Sequence, residues 1–498
     1  MDGAAAGSRR GRSEPTLQQS ELRMRRGARR ILVNTGYRTL PDIAGKVASF
    51  VFYVVMARKL GASDLGVFTF GLTFVSLVTF LGAFGQDAIL IREVSRDRGL
   101  IDRYFANTLG LKVALGLPAL GLSLAVLAAF SSRHTALVAA LLGVSALADI
   151  FAQTCLAAFQ AYERLAVIAT VLVPQRLLAA LAGIGLLLAG AGLVTVALAF
   201  VASSAVALAF ALGLLFRRIV RPRLKLDPKA WGPLMRAAIP FGIASVAGLV
   251  LFRIDMGMLA GFKPASAVGN YGAAYRLFEA TLFLSWSVSA AVYPVFSRLG
   301  PTTDPPVGLV LERALKLLTA LTLPLAVGAA ILAPAVIRLV YGDQYDAAVT
   351  ALRLLAPAIA LYAATYIPAG FLVAQRRERV VTTVYVLVAA ENVLLNFVLI
   401  PRWSLDGAAA GTSISQVLAA ALLVYYAAQT VGGVAWRRMV AGPVFAAVLA
   451  GLAMALFRAS LGAAVGIGAA VYLAALLAFE KITFPEDARV LVDLARRG

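Results

Sequence analysis

Arg38, Asp42 and Lys46 recur at i, i+4 and i+8 within a stretch of mostly apolar residues. That spacing places all three on one helical face, which continues to Ser49 and Tyr53. Single polar or charged side chains interrupt later apolar stretches in the same way: Asp87, Lys112, Asp149, Gln175, Arg176, Arg253, Asp255, Arg276, Glu279, Arg353 and Glu391. Cations slightly outnumber anions in this set. A cationic cavity suits an anion with several oxygens, such as a diphosphate, which arginine grips in a bidentate fashion and lysine as a point charge. The candidate anion-binding cations are therefore Arg38, Lys46, Arg176, Lys112, Arg253 and Arg276. The carboxylates Asp42, Asp149, Asp255, Glu279 and Glu391 are candidates for coupling or gating. At least one is expected to respond to a proton or a sodium ion, because burial and neighbouring cations shift a carboxyl group in opposite directions. A structural reading stands beside both. The Arg38–Asp42–Lys46 stripe also fits a ladder that locks helices together, and Arg276 with Glu279, at i and i+3, fits a salt-bridge trio with Asp255.

Other chemistries find little support in the residues. His134 is the single histidine and sits in a short polar break, where it is expected to face water rather than a metal. No cluster has metal-ligand spacing. Cys155, the single cysteine, lies in an apolar run and is expected to be a small packing residue. No phosphate-cradling P-loop is present, and no cofactor is expected.

The elements that carry these residues must sit in a bilayer. Hydrophobic residues make up 61% of the 498 and charged residues 14%, with a mean hydropathy of +0.85. Soluble domains carry roughly 45–50% apolar and about 25% charged residues. A spanning helix needs about 20 apolar residues. Stretches of that size fall near 36–57, 65–90, 104–130, 135–159, 165–189, 193–216, 237–261, 268–297, 314–340, 347–374, 380–400, 407–430, 438–457 and 460–479. We therefore expect an all-α integral membrane protein with about fourteen transmembrane helices. Lys46 would lie ~15 Å into the first, near the midplane, and Arg176 and Glu391 at ~16 Å. No connection on the outer side exceeds about ten residues, too little for an extramembrane catalytic domain.

The formal net charge of +21 concentrates in alternate connections rather than in a patch for nucleic acid, so no nucleic-acid partner is expected. One set holds Arg92, Arg96, Arg98 and Arg103, then Arg217, Arg218, Arg221, Arg223, Lys225, Lys229 and Arg236, then Arg376, Arg377 and Arg379, then Arg437 and Arg438. The other holds little beyond Arg58, Lys59, Arg133, Lys263, Arg402 and Arg458. This bias places both termini in the cytoplasm of a cytoplasmic (inner) membrane protein. The arginine-rich residues 1–30 read as a basic tail at an anionic leaflet rather than a cleavable signal. Trp231, Trp403 and Trp436 fall at interfaces, whereas Trp286 does not and is expected to pack inside its bundle.

The chain echoes itself across the polar segment 217–236. Pro41 opens a span that ends in LGASDLGVFTFG, with Gly66, and Pro240 opens one that ends in AGFKPASAVGNYGAAY, with Gly269. An even number of spans per half makes the repeat parallel, as in transporters with two halves around a central cavity. The expected organisation is a basic tail (1–30), a six-helix lobe (31–216), a cytoplasmic linker (217–236), a second six-helix lobe (237–430), two further helices (431–480) and a cytoplasmic tail (481–498).

Several segments also resemble a known family. ARKLGASDLGVFTFGLTFVSLVTFLGAFGQDAILIRE (57–93), AFQAYERLAVIA (158–169) and LFRIDMGMLAGFKPASAVGNYGAAYRLFE (251–279) look like those of bacterial and archaeal polysaccharide-biosynthesis flippases. The most specific match is ENVLLNFVLIPRWSLDGAAAGTSISQ (391–416), with Asn396, Pro401, Gly407, Ala408 and Ala409 in the expected order; LVYGDQYDAAVTALRLLAP (339–357) adds to it. The chain is thus similar to oligosaccharide flippases of the multidrug/oligosaccharidyl-lipid/polysaccharide exporter superfamily. The resemblance implies two six-helix lobes in a parallel pseudo-twofold repeat around a central cavity, plus two C-terminal helices. It also implies that an undecaprenyl- or similar polyprenyl-diphosphate-linked oligosaccharide is moved from inner to outer leaflet by alternating access, without enzymatic chemistry. The implied partners are that polyprenyl-linked glycan lipid, membrane lipids and other polysaccharide-assembly membrane proteins. Gly61, Gly66, Arg92, Asp255, Gly269 and Asn396 fit architectural roles as well as substrate contacts. The alternatives are a flippase for the peptidoglycan lipid precursor, a multidrug/cation antiporter of the same superfamily and, more remotely, a polysaccharide-assembly enzyme or scaffold.

Overall fold

The computed structural model describes residues 44–75, 83–219, 226–299 and 306–484, and every long element among them is helical. Residues 44–75 form α1, which Gly61 breaks into two spans by adopting φ +80°, a conformation that costs glycine little. Gln86–Arg96 forms α2, which is the end of the second span beyond a left-handed Gly85. Four long helices complete the first half: α3 (Ile101–Phe130), α4 (Arg133–Ala161), α5 (Leu165–Leu188) and α6 (Leu193–Arg218). The second half comprises α7 (Trp231–Phe262), α8 (Ala265–Arg298), α9 (Val307–Tyr341), α10 (Ala348–Ala374) and α11 (Glu378–Val431). Two more, α12 (Trp436–Leu456) and α13 (Leu461–Thr483), follow. Ser404, at φ 54° and ψ −130°, folds the 54-residue α11 into two spans just beyond Pro401.

Ten of the described helices are long and apolar enough to cross a membrane, with α11 counted once. The all-α plan of fourteen helices expected from the apolar stretches is therefore present. One boundary differs. Pro240 lies inside α7, which begins earlier at Trp231 behind the short turn Pro228–Ala230. Trp231 Nε1 and the Asp227 amide both donate to Asn107 Oδ1, at 3.0 and 2.8 Å, and these bonds anchor the early start. Pro41 lies outside the described residues.

Connections at the two ends of the bundle are tied in different ways. At the Gly61 end, ties cross between the halves: Arg58 donates to the Val340 carbonyl at 2.8 Å and Tyr345 to the Ala57 carbonyl at 3.1 Å. At the other end, apart from the bonds of Asp227 and Trp231 to Asn107, the ties stay within a half, as when Arg164 donates to the Arg218 carbonyl at 2.6 Å and Gln375 to the Phe296 carbonyl at 2.9 Å.

The apolar packing follows the same division. One cluster joins both halves, with Phe52, Met56 and Phe68 of α1, Tyr271, Tyr275 and Phe278 of α8, and Tyr341 of α9. Away from the Gly61 end each half has its own cluster. Leu90, Phe105, Phe159 and Leu215 belong to the first, and Phe296, Leu311, Phe371 and Leu423 to the second. Only the start of α7 is seen to lean back, through Leu234 and Ala238 against Ile89 and Leu111.

The repeat glycines explain why the halves meet where they do. A Cβ added to Gly66 would lie 1.8 Å from the Ala265 carbonyl oxygen, and one added to Gly269 would lie 1.8 Å from that of Ala62. The contact is reciprocal, as a twofold relation between repeats requires, and it places backbone against backbone. Replacing either glycine by alanine must therefore push α1 and α8 apart. We expect Gly66→Ala and Gly269→Ala each to cost about 1–3 kcal/mol, read as a lower unfolding temperature in detergent. Gly213→Ala in α6, with nothing near its added Cβ, should be neutral or slightly stabilising.

Candidate functional site

Below the Gly66–Gly269 crossing lies a cavity of about 150 Å³ between the halves. Its walls are Tyr53, Thr69 and Thr73 of α1, Arg253 and Met256 of α7, and Tyr275, Arg276 and Glu279 of α8, among others. Two guanidinium groups share one carboxylate there: Arg276 donates to Glu279 Oε2 at 2.7 Å and Arg253 to Oε1 at 3.4 Å. The local charge of this trio is net positive, and each guanidinium has five N–H donors to distribute. All three side chains remain partly exposed. Asp255, expected to join Arg276, does not. It is buried and accepts instead from Tyr271, from the Met256 amide at 2.8 Å and from Thr412 at 3.4 Å, which ties α7 to α8 and α11.

A seam of cations and aromatic rings runs from this cavity along α1 and α8. Lys46 Nζ sits 4.7 Å from the Phe283 ring centroid and 5.3 Å from that of Trp286. The Arg276 guanidinium sits 4.7 Å from the Tyr53 ring centroid. Positions 46 and 53, like 276 and 283, are seven apart, so each pair lies on one helical face about 10 Å apart along the axis. The first span of α1 runs antiparallel to α8, and the roles are exchanged: α1 gives the cation at one contact and the ring at the other. Each such contact contributes roughly 0.5–2 kcal/mol depending on desolvation. Trp286 thus does not pack inside its bundle. It is 54% exposed and faces α1 of the other half. The stripe Glu279–Phe283–Trp286, at spacings of four and three, was the sequence signal for this face.

The remaining candidates divide between this region and structural ties. Arg176 of α5 lies close to α1, so that a Cβ on Gly45 would meet its Cδ at 3.3 Å. Arg38 and Asp42 lie outside the described residues. Ser49 and Tyr53 bond locally, to the Gly45 carbonyl at 2.8 Å and to Thr69 Oγ1 at 2.6 Å. Lys112 does not reach the cavity. It is 1% exposed and donates to both Asp87 oxygens at 2.8 Å, to Thr154 Oγ1 at 2.7 Å and to the Ile150 carbonyl at 3.3 Å. A burial this deep is tolerable only because the charge is paired and its donors are filled.

The other carboxylates sit in hydrogen-bonded clusters inside each half. Asp149 accepts from Gln175 Nε2 at 2.5 Å, and Gln175 also reaches Ser204 at 3.4 Å. Glu391 accepts from Ser415 at 2.7 Å, and Ser415 accepts from Asn392, which accepts from Asn396, both at 3.0 Å. Asn396 in turn crowds Gly411, and Gly407 crowds the Leu399 carbonyl. The 391–416 motif is thus the tight hairpin of the two α11 spans. Arg353 is exposed and donates to the Ala330 carbonyl at 3.2 Å.

Sequence reasoning passed over one buried pair. Lys316 of α9 donates to Glu480 of α13 at 2.5 Å, with Glu480 fully buried. Each residue stands near other charges at the end of a long apolar helix, Lys316 after Glu312 and Arg313 and Glu480 before Lys481, and nothing in the sequence links α9 with α13. Cys155 is buried in the apolar cluster of the first half, and His134 is half exposed, 3.7 Å from Asp64. Among the described residues no group of three His, Cys, Asp or Glu is placed to hold a metal ion.

A polar, net-cationic cavity between two repeated helical halves defines a membrane transporter. Residues 31–300 match the family described as polysaccharide biosynthesis protein, and residues 240–398 match the MatE family. The chain belongs to the polysaccharide biosynthesis protein family, within the multidrug/oligosaccharidyl-lipid/polysaccharide exporter superfamily. It is similar to the probable low-salt glycan biosynthesis flippase Agl15 of Haloferax volcanii, at 22% identity over 394 residues, 78% of this chain and 81% of that protein. Its fold is that of the lipid II flippase MurJ in an inward closed conformation, with a TM-score of 0.76 at 15% identity, covering 89% of this chain and 98% of that one. An inward-facing multidrug resistance MATE family transporter follows, with a TM-score of 0.63 at 16% identity, covering 78% and 94%.

The Lys112 cluster separates a structural charge from a site charge. Lys112→Met leaves Asp87 without its cation and is expected to cost about 3–5 kcal/mol, read as a lower unfolding temperature and lower protein abundance. Adding Asp87→Leu should restore most of that loss. Normal stability of the single variant would return Lys112 to the cavity set.

Proposed function

We propose that this chain is a flippase for a polyprenyl-diphosphate-linked oligosaccharide, a repeat unit of a cell-surface polysaccharide, and that it works by alternating access. The observation that carries the reading is the cavity where Arg253 and Arg276 share Glu279, with Lys46 on the adjoining seam. Diphosphate oxygens can take up the guanidinium donors that a single carboxylate leaves over. Arg38, outside the described residues, and Arg176 remain in the proposed anion-binding set. The family membership and the similarity to a glycan biosynthesis flippase support a lipid-linked glycan as cargo. A carrier of cationic drugs would need the opposite polarity of cavity.

In this reading the protein resides in the cytoplasmic membrane with both termini inside. The Gly61 end then faces outward, so the packed crossing closes the outer side, and cargo moves from the inner to the outer leaflet. Asp149 and Glu391, bonded to neutral side chains, are the proposed coupling groups for a proton or sodium ion, alongside Asp42. Asp255 and Glu279 serve as gating or positioning groups through their contacts across α7 and α8. Other polysaccharide-assembly membrane proteins and membrane lipids are the proposed partners.

Export of surface glycan in a deletion strain carrying variants tests the reading. Arg253→Gln, Arg276→Gln and Arg176→Gln should each reduce export at least tenfold at unchanged protein abundance, and Arg→Lys should rescue only in part. Normal export by all three would overturn the diphosphate site. In vesicles preloaded with cargo, collapsing the proton or the sodium gradient should slow transport. If neither does, coupling through these carboxylates is excluded.

Orientation has its own test. A cysteine replacing Ser266 should react with an impermeant thiol reagent added outside intact cells, and one replacing Ala230 should not. The reverse pattern would invert the direction of transport.

A further inference from the structure

Among the described residues, the seam between α1 and α8 is the one place where side-chain cations of one half rest on aromatic rings of the other. Its two contacts lie seven residues apart on both helices and exchange their roles, Lys46 on Phe283 and Trp286, Arg276 on Tyr53. The Tyr53–Arg276 contact is also part of the cavity wall. The seam therefore continues the Gly66–Gly269 crossing away from the Gly61 end and holds the halves together along the cavity. An aromatic face attracts a cation through its quadrupole, a weaker interaction than the charge-assisted bonds an anion with several oxygens can offer.

We propose that this seam is a latch released by the cargo's headgroup: a diphosphate entering the cavity draws Lys46 off the Phe283 and Trp286 rings and Arg276 off Tyr53, which frees the halves to part along α1 and α8. The inference rests on the diphosphate reading above and adds what the headgroup does once bound. A ligand shifts a conformational equilibrium only through its different affinities for the two states. Here the difference arises because the same two cations serve the latch in one state and the anion in the other. An empty carrier keeps the seam closed, so the halves do not part without cargo. Glu279 keeps Arg276 near the cavity throughout, since its bond to that guanidinium does not involve the ring.

Trp286 reports on the latch directly. The chain has four tryptophans, and replacing Trp231, Trp403 and Trp436 by phenylalanine leaves Trp286 as the single indole. Inorganic pyrophosphate and farnesyl diphosphate are the probes, with binding followed separately by equilibrium dialysis of radiolabelled probe. On saturation with farnesyl diphosphate, the Trp286 emission should shift as Lys46 leaves the ring. A shift with pyrophosphate as well would assign recognition to the shared headgroup, and a shift with farnesyl diphosphate alone would assign it to the lipid-borne form. Lys46→Gln should show the shifted emission before any probe is added and no further response. Lys46→Arg should retain the response, which guards against a merely damaged protein. Saturable probe binding with unmoved emission, or a Lys46→Gln variant that responds like its parent, would overturn the latch and leave the diphosphate reading standing. Failure of both probes to bind would remove the two together.

Discussion

Two stretches of backbone touch at Gly66 and Gly269, and the rest of the molecule is arranged around that contact. In a bilayer, lipid tails are as apolar as the helices, so burial alone does not hold one helix against another. Close approach of small residues supplies the needed packing, and here the approach leaves no room for even a methyl group on either side. Because the contact is reciprocal between repeats, it fixes the axis relating the two halves. The shared apolar cluster and the Arg58 and Tyr345 ties gather at this contact, and the cation–aromatic seam runs from it away from the Gly61 end. Away from it the halves pack separately, and the cavity follows from that divergence.

Charge inside the bundle is sorted by how completely it is satisfied. Lys112 with Asp87, and Lys316 with Glu480, are buried ties that bind helices within one half. Breaking such a pair strands a charge in a low-dielectric interior, so these pairs make each half resist internal rearrangement. Arg253, Arg276 and Glu279 differ: they are partly exposed, joined in a two-to-one ratio and located where the halves meet. Rigid halves with a responsive interface are what the proposed alternating access requires. The ties and the site are two parts of one electrostatic plan.

The additional helices α12 and α13 belong to the same plan. They pack on α9 through Ala446, Ala450 and Tyr472, and the Lys316–Glu480 pair fastens the end of α13 to that helix. Gly442 of α12 lies so near Glu480 that a Cβ there would come within 2.4 Å of its carboxylate. Three helices thus converge on one buried carboxylate, and α12 and α13 are held to the second half as a unit.

The sequence by itself determined the membrane setting, the helical class, the span count and the repeat, because each depends on length, composition and spacing along the chain. It also marked Arg253, Arg276 and Glu279 among its candidates, since a charge in an apolar span must have a partner or a cavity. It did not determine which charges share that cavity. Lys112 and Arg276 are both cations within apolar stretches, yet one is saturated by Asp87 and Thr154 while the other borders the cavity. Asp255 and Glu279 were likewise interchangeable as partners for Arg276 until helix rotation turned one toward Tyr271 and the other toward the guanidinium. Trp286 was misread for the same reason: a helix has a face, but only its neighbours decide whether that face meets a core or a cavity. Spacing along one helix sets which residues point together, and only the packing of several helices sets what they point at.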